Sequence, residues 1–258
     1  MRNDTNSRDV IAAIKVATAD ELVLLEQRYV DDPRIGVISA LKTARSRLQA
    51  RQRELQRDSD LYQLQRQAGA GAIVVGIDEV GRGSVAGPLT VAAIALPLEP
   101  MLSGLDDSKK ISTLRREQLA PQIKACALAV GIAHISPEQI DSLGMARCLR
   151  MAMIQALEET GLTPDLVLID GNPVHIHPKE RAIVKGDGSV ACIAAASIVA
   201  KVTRDALMVE ADQCYPGYGF ADSKGYASKQ HISAIKERGL TAFHRASFCR
   251  GFIQESLF

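Results

Sequence analysis

Ala72-Ile-Val-Val-Gly-Ile77-Asp78-Glu79-Val80-Gly81-Arg82-Gly83 is a short unbroken apolar run that stops on two acids and opens into a glycine loop. An apolar run of this length, without alternation, suits a strand buried on both faces of a sheet. A second such run, Leu89 to Leu96, is ended by Pro97. The connection between the two holds Gly81, Gly83, Gly87 and Pro88, so a sharp return and a hairpin are expected. Downstream, helical and strand-like patterns alternate. Helices are expected over 115–127, from Ser136-Pro137-Glu138-Gln139 (which has capping-box spacing), over Met145–Thr160 until Gly161, over 189–212 and over 228–237. Strands are expected over 128–135, 166–169 and 183–184. This order predicts an α/β chain, a mixed sheet flanked by helices.

Upstream the texture is helical. Thr18-Ala19-Asp20-Glu21 fits a capping box, and Asp32-Pro33 suits a helix start with proline in the first turn. From about Gly36 to Arg66, Leu41, Leu48, Leu55 and Leu61 or Leu64 form a drifting apolar stripe, broken at Gly69-Ala70-Gly71. The expected organisation is a small helical N-terminal module at 1–70 and an α/β domain at 71–258.

Of the 258 residues, 47% are apolar and 24% charged, as in an ordinary folded domain, and the formal net charge is only +1. Any attraction for phosphates must therefore come from local clusters of Lys and Arg. The five cysteines are scattered without C-x-x-C spacing and are read as reduced thiols of a cytoplasmic protein. The polar start, MRNDTNSRDV, argues against a secretory signal. The most apolar stretch, 190–200, is much shorter than the roughly 20 residues needed to cross a bilayer. A soluble protein without a membrane partner is expected.

Three strands are expected to end on acids: Asp78-Glu79, Asp170 and Asp187. Strand ends of open α/β sheets are where ligands gather. Strand neighbours point to opposite faces, so Asp78 and Glu79 meet on one side only if the strand ends or bulges there. Converging carboxylates raise one another's pKa, a conflict that a divalent cation removes. All-oxygen ligands favour Mg²⁺ or Mn²⁺, and two such ions suit phosphodiester hydrolysis. The alternative is that each acid caps a turn or sits at the surface.

Gly81-Arg82-Gly83 with Gly87 superficially suggests a dinucleotide loop, but the chain runs into Pro88 and a strand, whereas such a loop opens a helix. Two readings stay open: a backbone that approaches a polynucleotide with Arg82 near a phosphate, or a tight hairpin turn that needs glycine for steric reasons alone.

Taken together, IDEVGRGSVAGP (77–88), DDSKKIS (106–112), LVLIDGN (166–172), VKGDGSVACIAAASIVAKVTRD (184–205) and SKGYAS (223–228) resemble the signature segments of ribonuclease HII across 72–250. Residues 1–70 also resemble an extension found in some bacterial members. The resemblance implies a ribonuclease H-like fold and cleavage of the RNA strand in RNA–DNA hybrids. It further implies incision 5′ of ribonucleotides embedded in duplex DNA, leaving 3′-hydroxyl and 5′-phosphate ends. By match of motif, Asp78, Glu79, Asp170 and Asp187 are the catalytic carboxylates and metal ligands, with two Mg²⁺ or Mn²⁺ ions when substrate is bound. Gly81, Arg82 and Gly83 are implied to hold the ribonucleotide and sense its 2′-hydroxyl, the group that distinguishes RNA from DNA. Tyr226 is implied to pack on the following deoxynucleotide sugar, and Lys109, Lys185 and Lys201 to contact phosphates. A monomer is expected. Position 84 is Ser where family loops often carry Pro, which is expected to leave the loop less rigid.

Other features carry less. His175 and His177 lack the further ligands of a zinc site and are read as ordinary histidines or indirect substrate contacts. His244-Arg245-Ala246-Ser247-Phe248 resembles a family ending with a packing or catalytic role, and Ser197 is within possible reach of a phosphate. The basic run Lys42, Arg45, Arg47, Arg51, Arg53, Arg57 is a solvated helix face or a grip on duplex phosphates. Two other functions compete: a silent hybrid-binding module, and a phosphatase for small monoesters, which leaves the glycine loop and Tyr226 without a role.

Overall fold

The computed structural model describes residues 6–253, which divide into two compact units, one ending at Arg57 and the other beginning at Asp58. The first holds α1 (Ser7–Val16), α2 (Ala19–Arg28) and most of α3 (Ile35–Leu61). Thr18 and Glu21 form the expected reciprocal capping box at the start of α2. Pro33 stands before α3 rather than in its first turn, because the Asp32 carboxylate takes the Arg34 amide and guanidinium and delays the helix to Ile35. Val10, Ile14, Leu22, Tyr29, Val37 and Ala44 make the core of this unit.

The expected leucine stripe does not form one face. Leu41 and Leu48 pack in the first unit, Leu55 is exposed, and Leu61 and Leu64 pack in the second. The division at Arg57 therefore falls earlier than the glycine break at 69–71. Leu61 and Tyr62, with α4 (Gln63–Gln67) behind them, pack with the sheet unit, where the Tyr62 hydroxyl accepts the Leu102 amide.

The second unit is built on β1 (Val74–Val80), β2 (Leu89–Ala95), α5 (Thr113–Cys126), β3 (Ala129–Ile135), α6 (Pro137–Leu143), α7 (Met145–Glu159), β4 (Leu166–Asp170) and β5 (Glu180–Ile183). It continues through α8 (Ala191–Cys214), α9 (Phe220–Ser223), α10 (Lys229–Arg238) and α11 (Ala246–Ile253). The sheet order is β3-β2-β1-β4-β5. The pairs β3/β2 and β2/β1 are antiparallel, and β1/β4 and β4/β5 are parallel. This is the mixed sheet expected, with the hairpin at its centre.

Alternate residues of β1 face opposite layers. Val75 and Ile77 pack with Leu149, Met153 and Ala156 of α7, whereas Val74 packs with Cys192 and Ile193 of α8. Gly76 makes the second contact possible, since a Cβ there would strike the Cys192 backbone. The Ala-rich start of α8 thus lies directly on the strand that carries the acidic pair. Among the described residues no helix is long and apolar enough to cross a membrane.

Candidate active site at the ends of β1 and β4

β1 does not bulge at its acids, and it ends one residue beyond them, at Val80. Its antiparallel register with β2 runs unbroken through Asp78↔Ala92, Glu79↔Val91 and Val80↔Thr90. Asp78 and Glu79 therefore take opposite faces, which corrects the condition set by the sequence. What brings acids together is the next strand. The parallel pairing of β1 with β4 stops at Ile77↔Ile169, so Asp78 and Asp170 follow as neighbours one step beyond it. Asp170 is the last residue of β4. Its Oδ1 accepts the amides of Gly186 (2.7 Å) and Asp187 (3.4 Å), which holds the single 3₁₀ turn 186–188 against the strand end. Lys185 reaches that turn in the left-handed conformation, with φ 59°.

The electrostatics place all four carboxylates in one field. Burial, and next the charge of Glu79, raise the Asp78 carboxyl to about 8; the Ser197 hydroxyl pulls the other way and Asp170 adds to the rise. Burial raises Glu79, with Asp170 adding and Arg82 opposing. Burial, then Asp170 and Asp107, raise Asp187. Lys109 Nζ stands 3.9 Å from Asp187 Oδ2.

Among the described residues no three acidic, His or Cys side chains close into a cage by themselves. Mg²⁺ does not require one, because it keeps several waters and is held through a few carboxylates together with substrate phosphates. The donor set is all carboxylate, and burying like charges side by side is the conflict that a hard cation relieves. Asp78, Glu79, Asp170 and Asp187 fit such an ion and are the residues that could hold it.

The connection 81–88 is not a tight turn. Gly81 needs to be glycine: its φ is 86°, and a Cβ would strike the Arg204 side chain. Gly83 does not: it avoids the left-handed region and has open space where a Cβ would stand. Arg82 is exposed, with Nη1 3.6 Å from Glu79 Oε1. It shares a cleft of about 390 Å³ with Glu79, Asp170, Asn172 and the N-terminal half of α7, through Ala146, Leu149 and Arg150. Tyr226 is 40% exposed, and its chain segment joins the loop where Gly225 O accepts the amides of Val85 and Ala86 (2.9 and 3.1 Å).

Ser84 does not loosen the loop. It is fully buried, and its hydroxyl donates to Gly81 O (2.9 Å) while accepting from Arg204 Nη2 (2.9 Å).

Other expected residues are dispersed. Lys201 pairs with Asp205 (2.8 Å) and lines a separate groove with Arg116 and Lys224. Lys185 is exposed on the 3₁₀ turn. His175 and His177 belong to a loop folded onto the Glu180 carboxylate, which accepts the amides of Val174, His175 and Ile176. In the first unit Arg45 pairs with Glu26, Arg47 donates to the carbonyls of Lys15 and Ala17, and Arg51 pairs with Glu54, so much of the basic run is engaged locally. Sequence reasoning missed Asp107, which lies beside Asp187, and Ser108, whose hydroxyl meets Ser197 at 2.9 Å. It also missed the buried role of Arg204. Pattern gives no sign that an arginine in a polar helix turn is enclosed.

A mixed sheet with carboxylates at adjoining strand ends, flanked by a glycine loop, defines a ribonuclease H-like nuclease. The sequence profile of ribonuclease HII matches residues 75–251. The ribonuclease HII of Enterococcus faecalis is 38% identical over 94% of this chain and 97% of its own, and that of Geobacillus kaustophilus is 40% identical over 87% and 91%. Among solved structures, the ribonuclease HII of Archaeoglobus fulgidus, determined in complex with PCNA, matches with a TM-score of 0.59 and 27% identity over 67% of this chain and 94% of its own. The chain belongs to the ribonuclease HII family. It is accordingly an endonuclease of the ribonuclease H type, cleaving RNA in RNA–DNA hybrids.

Proposed function

We propose that this protein is a divalent-metal-dependent endonuclease that incises on the 5′ side of ribonucleotides embedded in duplex DNA, as well as cutting hybrids, and leaves 3′-hydroxyl and 5′-phosphate ends. The carrying observation is that Glu79, Asp170 and Arg82 of the glycine loop line one cleft. Asp78, Glu79, Asp170 and Asp187 hold Mg²⁺ or Mn²⁺, two ions with substrate bound. When bound, the ions supply activation of water and stabilisation of the leaving oxygen.

The chain's own residues do the rest. Asp170 anchors the turn that carries Asp187. Arg82, exposed at the mouth of the cleft, meets a phosphate, and the bare backbone at Gly83 admits a ribose closely. Tyr226 packs on the sugar that follows. Lys109 and Lys185 meet phosphates near the acids, and Lys201 meets one farther along the duplex. The unit beginning at Asp58 carries catalysis, and the helical residues before it are an accessory module. The protein acts as a cytoplasmic monomer.

The test is a labelled DNA duplex with one ribonucleotide, incubated with Mg²⁺ or Mn²⁺ beside an all-DNA duplex. Cleavage is expected only at the ribonucleotide, to be abolished by EDTA, and end-group analysis should find the ends named above. Asp170→Asn keeps an oxygen for the Gly186 amide and should fold, yet lose at least about a hundredfold in rate. If folded protein cuts neither this duplex nor a long hybrid with either ion, the reading gives way to a binding role.

A further inference from the structure

Arg204 and Arg245 are both fully buried, and among the described residues neither has a carboxylate within salt-bridge distance. A buried guanidinium without a counter-ion is costly unless its donors are satisfied. Here they are satisfied almost wholly by the glycine loop and by the segment that carries Tyr226. Arg204 donates to Pro88 O (2.9 Å), Ala86 O (3.0 Å), Ser84 Oγ (2.9 Å) and Lys224 O (2.8 Å). Its guanidinium also lies 5.7 Å from the centroid of the Tyr226 ring. Arg245 donates to Gly87 O twice (3.0 and 2.8 Å) and to Arg82 O (3.2 Å).

The consequence falls on the tip of the loop. Ser84 Oγ draws Gly81 O inward and Arg245 draws Arg82 O inward. These peptides are trans, so each carbonyl and the N–H of the next residue point in opposite directions. The amides of Arg82 and Gly83 are therefore turned outward, and among the described residues neither donates to a protein acceptor.

We infer that Ser84, Arg204 and Arg245 are positioning residues: a bracket beneath the loop that aims the Arg82 and Gly83 amides at the 2′-hydroxyl oxygen and locks that aim to the place of Tyr226. This rests on the loop being the ribonucleotide sensor. Ser84 carries the part of the bracket peculiar to this loop, joining Gly81 O to Arg204 through one hydroxyl.

The experiment measures binding without cleavage, in the full-length Asp170→Asn protein with Mg²⁺. The quantity read is the ratio of Kd for an all-DNA duplex to Kd for the same duplex with one ribonucleotide. Adding Ser84→Ala should lower this ratio by about fivefold, the size of one lost hydrogen bond, with all-DNA affinity nearly unchanged and Tm moderately lowered, since the buried Arg204 guanidinium loses one acceptor. Arg204→Lys, which keeps the charge but not the fork, should lower it further, and Ser84→Thr should restore it. Ser84→Ala leaves Arg204 its three carbonyl acceptors, on Pro88, Ala86 and Lys224, so it remains decisive if Arg204→Lys does not fold. An unchanged ratio in folded Ser84→Ala, or equal loss on both duplexes, overturns the bracket while leaving the sensor reading intact. A parent protein that binds both duplexes equally overturns the sensor reading itself.

Discussion

Two glycines two positions apart do different work. Gly81 is imposed by the fold, because its backbone is left-handed and Arg204 occupies the space a Cβ would need. Gly83 meets neither constraint. Gly81→Ala should therefore cost about 1–3 kcal/mol of stability from backbone strain alone, seen as a lower Tm. Gly83→Ala should leave Tm unchanged and lower kcat/KM on the single-ribonucleotide duplex by about tenfold, equivalent to ~1.4 kcal/mol of transition-state binding. If Gly83→Ala cuts as well as the parent, glycine at 83 serves only the chain turn. The sequence left both readings of the loop open, since it records glycine but not what surrounds it.

Between elements, two histidines connect α10 to the C-terminal segment through fixed tautomers. His231 Nδ1 lies 2.9 Å from Tyr226 O, which can only accept, so this nitrogen donates. Its Nε2 then accepts from His244 Nε2 at 3.1 Å, and His244 Nδ1 accepts the Thr241 amide at 3.0 Å. Both rings must be neutral. Burial, and then the neighbouring His231, lower His244 to about 4, and burial lowers His231 as well. The unfolded chain, with His near 6.5, binds the extra proton first, so stability is full above that pH and falls as pH drops from about 6.5 toward 4. At pH 5 the His244 contribution to the loss is roughly 2 kcal/mol. Thermal unfolding at pH 7.5 and pH 5 should show a smaller drop in Tm for His244→Gln than for the parent. An equal drop in both would remove His244 as the cause.

Across the molecule, net charge is near neutrality and the attraction for substrate is local. The first unit spends Arg45, Arg47 and Arg51 on its own carboxylates and carbonyls, which weakens the case for a phosphate grip there. The acidic end of the sheet is the opposite case, with buried like charges that a cation would relieve. A ligand that binds only the native state raises its stability by mass action, about 2.7 kcal/mol at a hundred times Kd. Millimolar Mg²⁺ or Mn²⁺ should therefore raise Tm by a few degrees, and Asp170→Asn should blunt the rise. Full activity with no shift in Tm would mean that the ions are held only once substrate phosphates complete their shell.

Local pattern was enough to read the mixed sheet, the central hairpin, the capping boxes at Thr18 and Ser136, and the acids at strand ends. Each of these depends on residues within a turn or a strand of one another, where period and turn chemistry act directly. The short helices α9 and α11 went unread because four to eight residues hold too little periodicity. Other features answer to partners far away in the chain. Asp78 and Glu79 take opposite faces because β1 keeps its register with β2, and Asp170 comes beside Asp78 because β4 runs parallel to β1, paired with it up to Ile77↔Ile169. The glycine loop owes its shape to Arg204 and Arg245, which reach Pro88 and Gly87 across 116 and 158 residues of sequence. A buried arginine and a solvated one are the same letter; only packing, by taking water away and offering carbonyls instead, makes one of them the support of a site.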